Sequence, residues 1–204
     1  MGRSSARSRL QRVALRLEYA TIAWNLGEAV FTIGLGIVAR SLALIGFGTD
    51  SVIEVFASSV VVWHVRPGHE EDHPERTRVA LRLVAAAFAA LGLVLAAASI
   101  HDLTSGRRAD ASPWGIAYLA VTAFVMFGLA VWKRRVATDL DSAPLRSEAS
   151  MTFLDGILSV LTLTGLALNA VLGWSWTDPA AALLVAMAAL REARENLSES
   201  RELA

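Results

Sequence analysis

The chain has 204 residues, of which 54% are hydrophobic and 19% charged, against about a quarter charged in ordinary soluble domains. Its nineteen basic and nineteen acidic residues cancel, so no positive field argues for a nucleic-acid partner. Cysteine is absent, which excludes disulfide frameworks, thiolate zinc sites and thiol nucleophiles. The apolar residues fall in long blocks nearly free of charge, and that excludes a soluble globular enzyme.

Residues 1–16 form an arm rich in arginine and serine without a small-residue cleavage site, so it does not read as a removable leader. A membrane-spanning helix needs about 20 mostly apolar residues. Six stretches answer to this, at 17–39, 41–64, 79–101, 113–132, 148–172 and 178–191. The last is short unless it continues amphipathically to 197. Residues 17–197 then form the transmembrane domain and 198–204 a cytoplasmic tail. The fold expected is all-α, a polytopic membrane protein of six transmembrane helices with both termini cytoplasmic. Orientation follows from the basic residues, because that topology puts all but Arg40, Arg107 and Arg108 inside. The alanines of the third span read as a surface for close helix packing. Trp174 and Trp176 before the sixth suit a membrane interface.

Four acids lie well inside these spans: Glu28 in the first, Asp50 and Glu54 in the second, Asp155 in the fifth. A central carboxylate costs about 2.5–3.5 kcal/mol on insertion scales. Four together approach a domain's whole net stability, so something must compensate them. At about 1.5 Å of rise per residue, Glu28 lies about 16 Å and Asp155 about 10 Å from the inner face, with Asp50 and Glu54 about 13 and 20 Å from the outer one. In a core of about 30 Å all four can meet near the midplane. Asp50 and Glu54, four apart, share one helix face. No Lys or Arg falls in the middle of a span, so the compensating charge is expected to be a bound metal ion or shared protons. The bland alternative is a set of protonated structural acids, with Asn25, Trp24 and Thr32 able to satisfy Glu28. Gly46, Gly48 and Gly156 open space beside the carboxylates or serve helix contacts.

Ser41-Leu42-Ala43-Leu44 followed by Asp50-Ser51-Val52-Ile53-Glu54 resembles the second-helix segment of the cation diffusion facilitator family of divalent-metal/proton exchangers. Arg146 to Asp155 is similar to its fifth-helix segment, where a basic residue and an acid precede His-x-x-x-Asp. Asp178-Pro179 opening the last helix is similar too. The resemblance implies a metal site of Asp50, Glu54 and Asp155, with Zn2+ as transported substrate, proton exchange and a homodimer. Met151 stands where the family has its histidine and offers only a weak thioether donor; Glu28 or Asn25 is the substitute suggested by depth. Zinc usually draws on His or Cys as well as carboxylate, so this harder set suits Mn2+ or Fe2+ comparably. Family members usually carry a further cytoplasmic domain after the sixth helix, and the resemblance is closer to the short branch without it. No organic cofactor is implied. The partners expected are the metal ion, protons and the lipid bilayer, and the Ala/Arg-rich composition suggests a bacterial inner membrane.

His69-Glu70-Glu71-Asp72-His73 matches the His-Glu-x-x-His string of zinc proteases, which must lie on one helix face. Pro74 directly afterwards disfavours helix at His73, so a solvated acidic turn or a peripheral metal-attracting loop is expected instead. His101-Asp102 and His64 end spans as interfacial polar caps. The outer pair could line the metal's exit, and Glu148 could gate its way in. The rival reading of the whole chain is a non-transporting membrane scaffold or regulatory protein.

Overall fold

The structure, a computed structural model, describes residues 2–39, 42–66, 74–105, 113–172, 174 and 176–203. These form six helices: α1 (Gly2–Ala39), α2 (Leu42–Val65), α3 (Pro74–Ser105), α4 (Pro113–Leu140), α5 (Ala143–Leu172) and α6 (Thr177–Glu202). Among the described residues there is no β-strand. Proline marks the starts. Pro74 and Pro113 open α3 and α4, while Pro144 and Pro179 fall within the first three residues of α5 and α6. There the missing N–H has no intrahelical partner to lose.

Several helices run past the apolar stretches. α1 is 38 residues long and passes unbroken through the boundary expected after residue 16. α6 reaches Glu202. Residues 133–140, beyond the expected end of the fourth span at 132, are the last two turns of α4. Only Asp141 and Ser142 separate it from α5. Asp141 has φ 53°, and the Ser142 N–H donates to the Ala137 carbonyl at 3.0 Å. This left-handed cap ends α4 and turns the chain back.

α1 packs along α2, α4 along α5, and α3 along α6. Contacts of α1 with α4 and of α2 with α5 close the first two pairs into a four-helix ring, and the α3–α6 pair lies against its α2 and α5 side. Two apolar clusters hold the bundle. One joins α3 and α6 to α2 and α5 through Phe88, Leu91, Leu154, Leu158 and Val185. Small residues let α3 and α6 approach closely: an added Cβ on Gly92 would stand 3.0 Å from the Ala186 carbonyl oxygen and 2.7 Å from Leu190. The other cluster fills the ring at the α1 N-terminal end with Leu17, Val61, Val65, Val136, Leu140 and Leu145. Outward, the bundle shows large apolar side chains such as Val30, Phe31, Phe124 and Leu184, the surface a bilayer covers.

Among the described residues two helices, Pro74–Ser105 and Ala117–Leu140, are long and apolar enough to cross a membrane on that criterion alone. The sequence expectation was six. α1, α2 and α5 carry buried acids, which lower their hydropathy, and parts of α2, α5 and α6 lie outside the residues so judged.

Candidate functional site

The ring interior is polar above the Leu17–Leu145 cluster, and the sequence spacing makes it so. On α1, Glu18, Thr21, Asn25, Glu28 and Thr32 are all buried. Steps of three and four put them on one helix face. On α5, Glu148, Thr152, Asp155 and Ser159 follow the same rule and are also buried. α2 contributes Asp50, Ser51, Glu54 and Ser58, and α4 contributes Thr122 and Lys133, with the half-buried Tyr118. Four polar stripes therefore meet inside one ring.

Glu28 is saturated with donors. Its Oε1 accepts from the Tyr118 hydroxyl at 2.9 Å and from Thr122 at 3.1 Å, and its Oε2 accepts from Ser51 at 3.0 Å. Glu54 accepts from the Thr152 hydroxyl at 2.6 Å. Asp155 is different. Both its carboxyl oxygens are buried with no hydrogen-bond partner, and its carboxyl faces that of Glu54, with Asp50 and Glu28 also within electrostatic reach. Asp50 in turn feels Glu54 and Glu28. The four acids expected near the midplane therefore share one neighbourhood, carried by three helices. Among the described residues, no group of three or more His, Asp or Glu side chains converges closely enough to hold a metal ion as the structure stands.

A buried cation that the sequence reading does not expect, Lys133, answers two further buried acids, Glu148 and Glu18, and hydrogen-bonds none of the four span acids. Placed by the sequence reading on the cytoplasmic side, Lys133 lies on the inward face of α4 with its side chain 0% exposed. Its Nζ donates to both oxygens of Glu148 at 2.7 Å, to Thr152 Oγ1 at 3.2 Å and to Glu18 Oε2 at 3.3 Å. Ser58 adds a donor to Glu148 at 2.9 Å. The error came from ending the fourth span at the first cation. Arg134 and Arg135 are exposed, but the helix continues, and its next inward position after Ala130 is Lys133. Glu18 was missed for a similar reason, because it is only the second residue of the expected span one. In both cases the three-and-four spacing was the available signal.

The remaining candidates are dispersed. Asn25 is fully buried; its Nδ2 donates to the Thr21 carbonyl at 3.2 Å, and its Oδ1 has no partner. Met151, 1% exposed, belongs to the apolar cluster shared with α3 and α6. Glu148 is held by Lys133 and Ser58 rather than standing open. His101 is exposed and Asp102 partly so, at the end of α3. His64, expected as an interfacial cap, is buried. His69 and His73, with the whole protease-like string, lie outside the described residues. Of the glycines, Gly48 and Gly156 serve helix contacts: an added Cβ would run into the Ile33 side chain at the former and meet the Phe127 ring at 3.0 Å at the latter. The surroundings of Gly46 lie outside the described residues.

Residues 19–203 match the cation efflux transmembrane domain. The chain is also 26% identical, over 171 residues, to the uncharacterized transporter sll1263 of Synechocystis sp., a match covering 78% of this chain and 55% of that protein. It thus spans just over half the length of that relative. A match over nearly its whole length, on helices that bring the paired acids of α2 beside the acid of α5, makes this chain a member of the cation diffusion facilitator family.

Proposed function

We propose that this chain moves a divalent metal cation out of the cytoplasm in exchange for protons, with both termini on the cytoplasmic side. The observation that carries the reading is Asp155: a buried carboxyl with no donor on either oxygen, facing another carboxyl. A group so placed needs a proton or a cation, because a buried unpaired charge is far too costly to leave bare. Asp50, Glu54 and Asp155 would hold the ion, and Asn25 Oδ1, the other orphaned oxygen on the stripe, would replace the histidine that Met151 does not supply. Since the acids do not converge as they stand, a rocking of the helix pairs brings them round the ion on the inward side. Outward opening then lets protons take the carboxylates and release it. Zn2+ is the ion to test first on family grounds, and the all-oxygen set argues for including Mn2+ and Fe2+.

A homodimer in a bacterial inner membrane completes the proposal. Gly27 and Gly34 of α1 have open space beside them and suit close approach of a second copy. Gly36 lies outside the residues whose surroundings are described. The test is metal uptake into inverted vesicles driven by a proton gradient. Asp50→Asn combined with Asp155→Asn is expected to abolish it, and unchanged uptake would refute the mechanism. The scaffold reading draws on Glu28, whose three hydroxyl donors satisfy it without any ion. Calorimetric titration with Zn2+ and Mn2+ separates the two, because a scaffold gives no saturable binding that Asp50→Asn removes.

A further inference from the structure

The polar interior ends abruptly towards the N-terminal end of α1. There Lys133 of α4 is gripped by Glu148 of α5 at 2.7 Å and by Glu18 of α1 at 3.3 Å, and Ser58 brings in α2 through Glu148 at 2.9 Å. One ammonium therefore ties all four helices of the ring. Beyond it, among the described residues, the ring interior is filled by the apolar cluster of Leu17, Val61, Val65, Val136, Leu140 and Leu145. On the other side, one turn along α1, come Thr21 and then the acids.

Net stability is a poor explanation for this arrangement. Desolvating both partners offsets most of a buried ion pair's attraction, and apolar side chains of similar volume hold helices as well or better. An ammonium does something a leucine cannot. It occupies carboxylates that would otherwise receive a passing cation, and it repels that cation while it stays. Its bonds are also all-or-none for the ring, since separating α4 from α5 at this level strips Glu148 of its counter-charge.

We propose that Lys133 is a tethered cation that plugs this end of the ion pathway, and that opening the pathway on that side requires its release from Glu148 and Glu18. The pathway itself rests on the transport reading, so the test is one that needs no metal. The chain has no cysteine, which makes Thr21→Cys a unique thiol at a fully buried position just behind the plug. In membrane vesicles of both orientations it is exposed to a membrane-impermeant maleimide. With Lys133 intact, labelling is expected to be slow from the N-terminal face. Lys133→Met should speed it several-fold from that face alone, and Lys133→Arg should restore slow labelling. Unchanged labelling in a folded Lys133→Met protein overturns the proposal. Where Lys133→Met alone fails to fold because Glu148 and Glu18 are left unpaired, Lys133→Met with Glu148→Gln removes both charges of the closer pair. A plug then stays lost and labelling stays fast, whereas slow labelling in this double variant would show a purely structural pair and overturn the proposal. Loss of metal uptake in the Asp50 and Asp155 variants would be read separately, since neither outcome depends on the other.

Discussion

Thr152 delivers its single hydroxyl proton to Glu54, at 2.6 Å, although Glu148 stands one turn away on its own helix with an oxygen at 3.2 Å. Glu148 can be passed over because Lys133 already supplies both its oxygens. The threonine thus links the ion-paired end of the ring to the acids of the proposed site. Thr152→Val keeps the shape and removes the donor, so Glu54 loses its hydrogen bond. A lost bond to a charged group is worth about 1.5–3 kcal/mol, so metal affinity by calorimetry should fall at least about tenfold, with Thr152→Ser close to wild type.

Glu28 gives a contrasting expectation. With three hydroxyls upon it, removing one leaves two. Tyr118→Phe should cost about 1 kcal/mol of stability, seen as a modest drop in Tm, while metal uptake in vesicles survives. Loss of uptake equal to that of the Asp155 variant would instead make Glu28 a ligand.

The glycines sort by what surrounds them. Gly92→Ala drives a methyl towards the Ala186 carbonyl at 3.0 Å, and overpacking of this kind costs about 1–3 kcal/mol. Gly27→Ala meets nothing within 4 Å and gains helix propensity of up to about 1 kcal/mol. Thermal unfolding in detergent should therefore move in opposite directions for the two. A drop in dimer content with Gly27→Trp would place the second copy on that face of α1.

Asp141 caps α4 with a left-handed backbone, φ 53°. Glycine takes that conformation without cost and a β-branched residue resists it. Asp141→Gly is expected to hold or raise Tm, and Asp141→Val to lower it by the equivalent of about 1–2 kcal/mol.

Glu192, half-buried in the C-terminal half of α6, has its carboxyl held above the ordinary range, first by burial and then by Glu195, with Arg134 and Arg191 opposing. A carboxyl whose folded pKa is raised favours the folded state while protonated, and that advantage is lost as pH rises through the raised value. Glu192→Gln should accordingly raise Tm slightly at neutral pH. The difference should vanish once the pH falls below the ordinary carboxylate range.

Much of this molecule was legible in the residues. Six helical stretches and four buried acids follow from hydropathy and depth, and the paired acids of α2 with Asp155 of α5 carry the family pattern. What escaped was the role of charge at the helix ends. Lys133 opens a run of three cations, and such a run reads as the point where a span leaves the membrane. A charge run marks a face as readily as a boundary, and here one of the three turns inward while two stay out. Glu18 escaped because it stands at the very start of the expected first span, where a charge also reads as a boundary. The pairing of Glu28 with Ser51, Tyr118 and Thr122 was beyond sequence spacing altogether, since it depends on which helices become neighbours.

Among the described residues, the two helical segments long and apolar enough to cross a membrane, in α3 and α4, are consecutive in the chain. By length and composition each suits lipid. α1 bears Glu18, Asn25 and Glu28, and α2 bears Asp50 and Glu54, so neither is at ease there by itself. Their hydrogen bond between Ser51 and Glu28, at 3.0 Å, lets them hide part of that polarity against one another. Biogenesis should thus proceed by partnering: the first hairpin released as a unit, and the fifth helix held back until the fourth delivers its lysine.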